Sequence, residues 1–159
     1  MPETQAGRGA HAGRPGPALL LAFDVGARRI GVARGDTVSG AAAPVGHVPV
    51  TDGMPRWSDI DTLLGHWRPD RLIVGLPYNV DDSESPQTRV AREFASALGA
   101  RYGVPVSLVD ERYSSLEAGE RLRESRRAGV RRRRVTKGDV DAAAACIILE
   151  RWLADPTGC

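Results

Sequence analysis

The stretch Leu19–Asp36, LLLAFDVGARRIGVARGD, decides how the chain is read. It opens on an apolar run, Leu19–Gly26, broken by a single carboxylate, Asp24. A run of this length with both faces apolar is the signature of a central strand buried on two sides. The second half, RIGVARG, alternates Ile30 and Val32 with small or basic residues, which predicts a return strand over Arg29–Gly35 after a short turn. Asp24 is the anomaly. A carboxylate after LLLAF has no local cap to make, and burying its charge is costly unless it is paired or holds a cation.

Working outward, Ala41–Val50 supplies a third strand that Pro44 and Pro49 confine to an edge or a bulge. In WSDIDTLLGHW the period changes, with Ile60, Leu63, Leu64 and Trp67 at helical spacing and Ser58 as the expected N-cap. RLIVGLP, Arg71–Pro77, is a short buried strand closed by Gly75 and Pro77. The segment from Thr88 to Gly103 is a helix with Val90, Phe94, Ala97 and Leu98 on one face, stopped by Gly103. VPVSLVDER is a strand ending in Asp110 and Glu111, and SSLEAGERLRE starts a helix at Ser114 with the Ser114–Glu117 capping pattern. DVDAAAACIILERWLADP is the last helix. The expected fold class is α/β, a mixed five-stranded sheet (β-β-β-α-β-α-β-α) with helices on both faces. Residues 1–18, rich in Gly, Ala and Pro, read as a disordered tail, 19–155 as one domain and 156–159 as a C-terminal tail.

The chain of 159 residues is 42% hydrophobic and 26% charged, which suits a globular domain and argues against a disordered chain. No apolar run reaches the roughly 18 residues of a membrane span, and the N-terminus lacks the apolar centre of a secretory signal. Cys146 and Cys159 offer neither a disulfide framework nor metal-ligand spacing, so a cytoplasmic location and no membrane partner are expected. The net charge of +2 hides an asymmetry. Between Arg121 and Lys137 lie nine basic residues against one acid, Glu124, a net of +8 that leaves −6 on the remainder. That segment reads equally as a footprint for a polyanion or as a solvated helix face followed by an arginine loop.

The acidic residues complete the reading. Asp24 ends the first strand, Asp110 and Glu111 end the fifth, and Asp141 lies in the first turn of the last helix. Asp141 heads the stripe Ala145, Ile148, Trp152, the apolar side of that helix. Taken singly, Asp141 complements a helix dipole and Asp110–Glu111–Arg112 forms an ion-paired strand end. Converging carboxylates repel one another, and a hard divalent cation resolves the conflict. His11, His47 and His66 are scattered, so an oxygen-only site points to Mg²⁺ or Mn²⁺ rather than zinc. Carboxylates beside an arginine-rich segment suit phosphodiester hydrolysis, with two metal ions about 3.5–4 Å apart serving the attacking and leaving oxygens.

FDVGARRIGVARGD, IVGLP, VDERYSS and KGDVDAAAACIILERWL, in that order, resemble the YqgF/RuvX family over Leu19–Leu153. The resemblance implies an RNase H-like fold and a nuclease for the 5′ end of pre-16S rRNA in ribosome biogenesis; some relatives are described as Holliday-junction resolvases. It assigns Asp24, Glu111 and Asp141 as catalytic metal ligands. Asp110 shares the DER motif and either binds metal or orients Arg112. Asp139 is read as a helix cap instead. Gly75-Leu76-Pro77 matches a family motif and reads equally as a cleft wall or a structural turn. Lys137 and Gly138 precede the last helix, where a phosphate could meet both the ammonium and the helix N-terminus. Arg112, Arg131, Arg132, Arg133, Arg134 and Lys137 are the expected nucleic-acid contacts. Aromatics make up only 5% of the chain and none interleaves the arginines, so phosphate contact and shape recognition are favoured over base stacking.

Structured RNA is the expected substrate of a monomer or homodimer. A four-way DNA junction is the alternative, and paired cuts would then require a two-fold dimer. A non-catalytic nucleic-acid-binding module is a further alternative. DVGARRIGVA also resembles the phosphate hairpin of actin-like sugar kinases and ATPases, but those need two such domains around a cleft, more than this chain supplies.

Overall fold

The structure, a computed structural model, describes residues 17–79, 81, 83–110 and 136–156. The strands are β1 (Leu19–Val25), β2 (Arg29–Asp36), β3 (Ala42–Thr51), β4 (Met54–Pro55), β5 (Arg71–Leu76) and β6 (Val106–Asp110). The helices are α1 (Trp57–Trp67), α2 (Pro86–Tyr102) and α3 (Lys137–Ala154). The sheet order is β4-β3-β2-β1-β5-β6. β1 is antiparallel to β2 and parallel to β5, and β5 is parallel to β6. The apolar run at the start of the chain therefore occupies the centre, as its two apolar faces require; Leu20 to Val25 are all buried.

Alternation along β1 divides the core. Leu21, Phe23 and Val25 join Ile30, Val32, Leu72 and Val74 beneath α1 and α2, supplied by Ile60, Leu64, Ala91, Phe94 and Leu98. Leu20 and Ala22 join Ala33 and Ile73 beneath α3, supplied by Ala145, Ile148, Leu149 and Trp152. On the first face Phe94 meets Phe23 edge-on at 5.6 Å and stacks with Trp57 at 5.7 Å, arrangements that add to the area each ring buries. The helices on both faces agree with the sequence reading.

Four details differ from it. The sheet has six strands rather than five, because Asp52-Gly53, with φ of 53° and 74°, turns the chain back on Val50–Thr51. Two successive positive φ values are the geometry of a type I′ hairpin, for which Asp-Gly is a favoured pair. Ser58 lies inside α1, whose N-cap is Arg56. α2 begins earlier, at Pro86, with a Ser85–Thr88 capping box. Its core stripe is Thr88, Ala91, Phe94, Ala95 and Leu98, which leaves Val90 42% exposed. β3 fulfils the expectation from its prolines: the register with β2 shifts between Val32 and Ala33, which pair with Gly46 and Pro44 and leave Val45 as the extra residue of a bulge. The helix expected from Ser114 lies outside the described residues.

Where α1 meets α2, the Tyr102 hydroxyl donates to Asp61 Oδ1 at 2.6 Å, and the Arg101 guanidinium sits 4.9 Å from the centre of the Trp57 ring. Partial burial, then the adjacent Asp61 carboxylate, push the Tyr102 hydroxyl up to about 12 from an ordinary 10.0. The folded protein therefore holds that proton more tightly than the unfolded chain does. The contribution is fully present below pH 10 and is lost as pH rises toward 12. Denaturant unfolding across this alkaline window is expected to show a stability decline that is shallower in Tyr102→Phe. Equal slopes in the two proteins would rule the effect out.

Candidate nuclease site

β2 sets the site. Its residues Arg29, Gly31, Ala33 and Gly35 face α3, and from Gly31 onward all are small. A Cβ on Gly31 would stand 1.9 Å from the carbonyl oxygen of Asp141, and one on Gly35 would stand 2.8 Å from Leu149 Cδ2. The four strand steps from Gly31 to Gly35 span about 13 Å, and the eight helix steps from Asp141 to Leu149 rise about 12 Å. The helix thus lies lengthwise in a groove cut by missing side chains, and the match of lengths fixes which helix residue sits over which strand residue.

That alignment sets the backbones of two of the expected ligands one strand apart. Asp24 is the direct cross-strand partner of Gly31, and directly paired residues have Cα atoms roughly 5 Å apart with side chains on one face. Asp24 therefore shares the α3 face with Leu20 and Ala22 and is only 9% exposed. The backbone of Asp141 rests on Gly31, one strand away. Asp141 is the fifth residue of α3, in the second turn rather than the first. The first-turn place belongs to Asp139, whose carboxylate accepts from Thr136 N at 2.9 Å while Thr136 Oγ1 accepts from Asp139 N at 3.1 Å. This reciprocal capping box matches the role read for Asp139.

Asp141 is not simply a complement to the helix dipole. Its Oδ2 accepts a hydrogen bond from Arg29 Nε at 2.6 Å, a charged pair spanning 112 positions of sequence. Neither side chain is fully buried, Arg29 being 29% and Asp141 22% exposed, so solvent and ligands reach both. Arg29 was missed in the sequence reading. The signal was its phase: it has the parity of Gly31 and Ala33, at the head of the helix-covered face. His47 was also set aside as scattered. It pairs with Gly31 from the β3 side, and its ring lies against Gly138, where an added Cβ would be 2.6 Å from Nδ1. Lys137, at the start of α3, is exposed beside it.

The other expected residues are placed differently. Asp110 ends β6, and its carbonyl accepts from Arg151 Nη1 at 3.1 Å. Along β6, Val106 and Leu108 pack toward α1 and α2, whereas Val109 packs toward α3. Asp110 thus has the parity of the face opposite Asp24. Glu111, Arg112 and Arg131, Arg132, Arg133 and Arg134 lie outside the described residues. Among the described residues no group of three or more His, Cys, Asp or Glu is gathered as a metal cluster. Pro77, from the expected cleft wall, accepts the Thr88 hydroxyl at its carbonyl, and Gln87 Nε2 donates to Val25 O at 3.0 Å, so the start of α2 is tied to the end of β1.

A mixed sheet with an antiparallel hairpin leading into parallel strands, helices on both faces and an aspartate on the central strand beneath the last helix defines an RNase H-like domain. The solved structures agree on the fold. RuvC of Thermus thermophilus in complex with a Holliday junction substrate superposes with a TM-score of 0.54 at 16% identity, covering 88% of this chain and 96% of that one. A second structure of RuvC from Thermus thermophilus gives 0.51 at 15%. The family model described as "RuvX: Holliday junction resolvase" matches residues 18–155, and this chain belongs to that family. Among its relatives, a protein of Edwardsiella ictaluri named "Putative pre-16S rRNA nuclease" is 46% identical over 136 residues, 86% of this chain and 94% of that one. One of the same name from Azotobacter vinelandii is 45% identical over 145 residues, covering 90% and 99%. No described helix is long and apolar enough to cross a membrane.

Proposed function

We propose that this protein is a divalent-metal-dependent endonuclease that acts on structured RNA and trims the 5′ end of precursor 16S rRNA. The observation that carries the reading is the close seat of α3 on Gly31, which puts Asp141 one strand from the nearly buried Asp24. The relatives named for pre-16S rRNA are 45–46% identical over most of their length, whereas the junction-bound structure is 16% identical and speaks for the fold.

The donor set suits the metal. Asp24 and Asp141 offer only oxygen, which fits Mg²⁺ or Mn²⁺. Asp24 is held on a central strand with little freedom to swing, as a ligand needs. Glu111, which matches the glutamate of the DER motif, is proposed as the third ligand, because Asp110 has the parity of the face opposite Asp24. Asp110 is accordingly given the task of orienting Arg112. A pair of bound divalent ions would supply an activated water and neutralise the leaving oxygen. The protein's own work is to hold the carboxylates in fixed positions and to grip the backbone. Lys137, Arg112 and Arg131–Arg134 are proposed for that grip, through phosphate charge rather than base edges.

The test offers purified protein a precursor 16S rRNA carrying its 5′ leader and, separately, a synthetic four-way DNA junction. Each is run with Mn²⁺ or chelator, beside Asp141→Asn. Cleavage of the RNA that disappears with chelator and in the variant supports the reading. Cleavage of the junction alone overturns the substrate, and metal-independent binding without turnover overturns the catalysis.

A further inference from the structure

The ion pair of Arg29 with Asp141 uses one of five guanidinium donors. Nε is committed to Oδ2 at 2.6 Å. Among the described residues the bond to Asp141 is the side-chain hydrogen bond of Arg29, which leaves the four N–H groups of Nη1 and Nη2 on a side chain that is 29% exposed. Arg29 begins β2 at the head of the groove that seats α3, two residues before Gly31, the position that pairs with Asp24 and carries the backbone of Asp141.

Two acidic side chains in one site repel a phosphodiester, which is itself an anion. A fixed cation beside them offsets that repulsion, and the planar fork of arginine matches the geometry of phosphate oxygens. We propose that Arg29 is a phosphate-binding residue of the site: Nε anchors to Asp141, and the Nη edge donates to a non-bridging oxygen of the phosphate about to be cut. The anchor gives the guanidinium a defined orientation before substrate arrives, so less side-chain freedom is lost on binding. This rests on the nuclease reading, and the following measurements separate the two.

Binding of a fluorescent precursor-rRNA stem is measured in chelator over a range of salt concentrations for the parent, Arg29→Gln and Arg29→Lys, with far-UV circular dichroism confirming the fold. Losing one phosphate contact should flatten the slope of log K against log salt by about 0.7–0.9 in Arg29→Gln. Arg29→Lys, which keeps the charge, should hold the parent slope. Calorimetric Mn²⁺ affinity without RNA should be unchanged or tighter in Arg29→Gln, because a cation has been removed from beside the ligands. An unaltered slope in Arg29→Gln, or Mn²⁺ affinity weakened tenfold or more, overturns the proposal; the second result would make Arg29 only a support for Asp141. A parent protein that fails to bind the stem overturns the nuclease reading along with it. If Arg29→Gln fails to fold, a parent-like slope in Arg29→Lys supports the charge contact, and a slope flattened there overturns it.

Discussion

Asp24→Asn is expected to lose metal-dependent cleavage by at least about a thousandfold, equivalent to about 4 kcal/mol of transition-state stabilisation. The substitution keeps the shape of the side chain and removes only its charge. Asp24 is 9% exposed, on the α3 face of the central strand, between a buried apolar stripe and the start of α3. The fold should survive. The melting temperature should move by no more than the about 2–4 °C that 1 kcal/mol produces in a domain of this size. Single-turnover cleavage of precursor rRNA with saturating Mn²⁺ measures the first effect and calorimetry the second. A variant that cuts at the parental rate would show that Asp24 holds no catalytic ion.

Gly31→Ala is expected to damage stability and cleavage together. Its new methyl would lie 1.9 Å from the Asp141 carbonyl oxygen, 2.3 Å from its carbon and 2.9 Å from Ala142 N, all backbone atoms of the helix. A clashing side chain can turn away; a helix backbone cannot, so α3 must lift from the groove. Overpacking of this kind costs about 1–3 kcal/mol, and the rigidity of the obstacle puts this case at the upper end. Asp141 would move away from Asp24 by more than the roughly 1 Å that can cost a hundredfold in rate. Gly65→Ala on α1 is the control: nothing lies within 4 Å of its added methyl, and alanine there should stabilise by up to about 1 kcal/mol. Thermal unfolding and single-turnover rates of both variants check the contrast. A Gly31→Ala protein as stable and active as the parent would disprove the close seating of α3.

Both predictions depend on a small-residue groove that was visible in the sequence only as alternation. RIGVARG announced a strand with Ile30 and Val32 on one side; the residues on the other side were read as merely small or basic. Their smallness has meaning only once a helix lies on them. The same holds for Val90, whose apolar character placed it in the expected stripe but which the packing of α2 leaves exposed. Asp52-Gly53 is the opposite case, a turn whose signal was present and passed over.

What the sequence determined by itself was local and periodic. The two-faced apolar run put β1 at the centre, the alternation of RIGVARG made its partner, the period of Ala145, Ile148 and Trp152 set the buried side of α3, and Asp139 marked its start. Each depends on residues a few positions apart, where chain geometry leaves few choices. The tertiary structure decided which residues meet: Arg29 with Asp141 across 112 positions, His47 with Gly138, and Asp110 on the parity opposite Asp24. Such meetings depend on strand register and on the axial position of one helix, and a shift of a single residue in either would have joined different side chains.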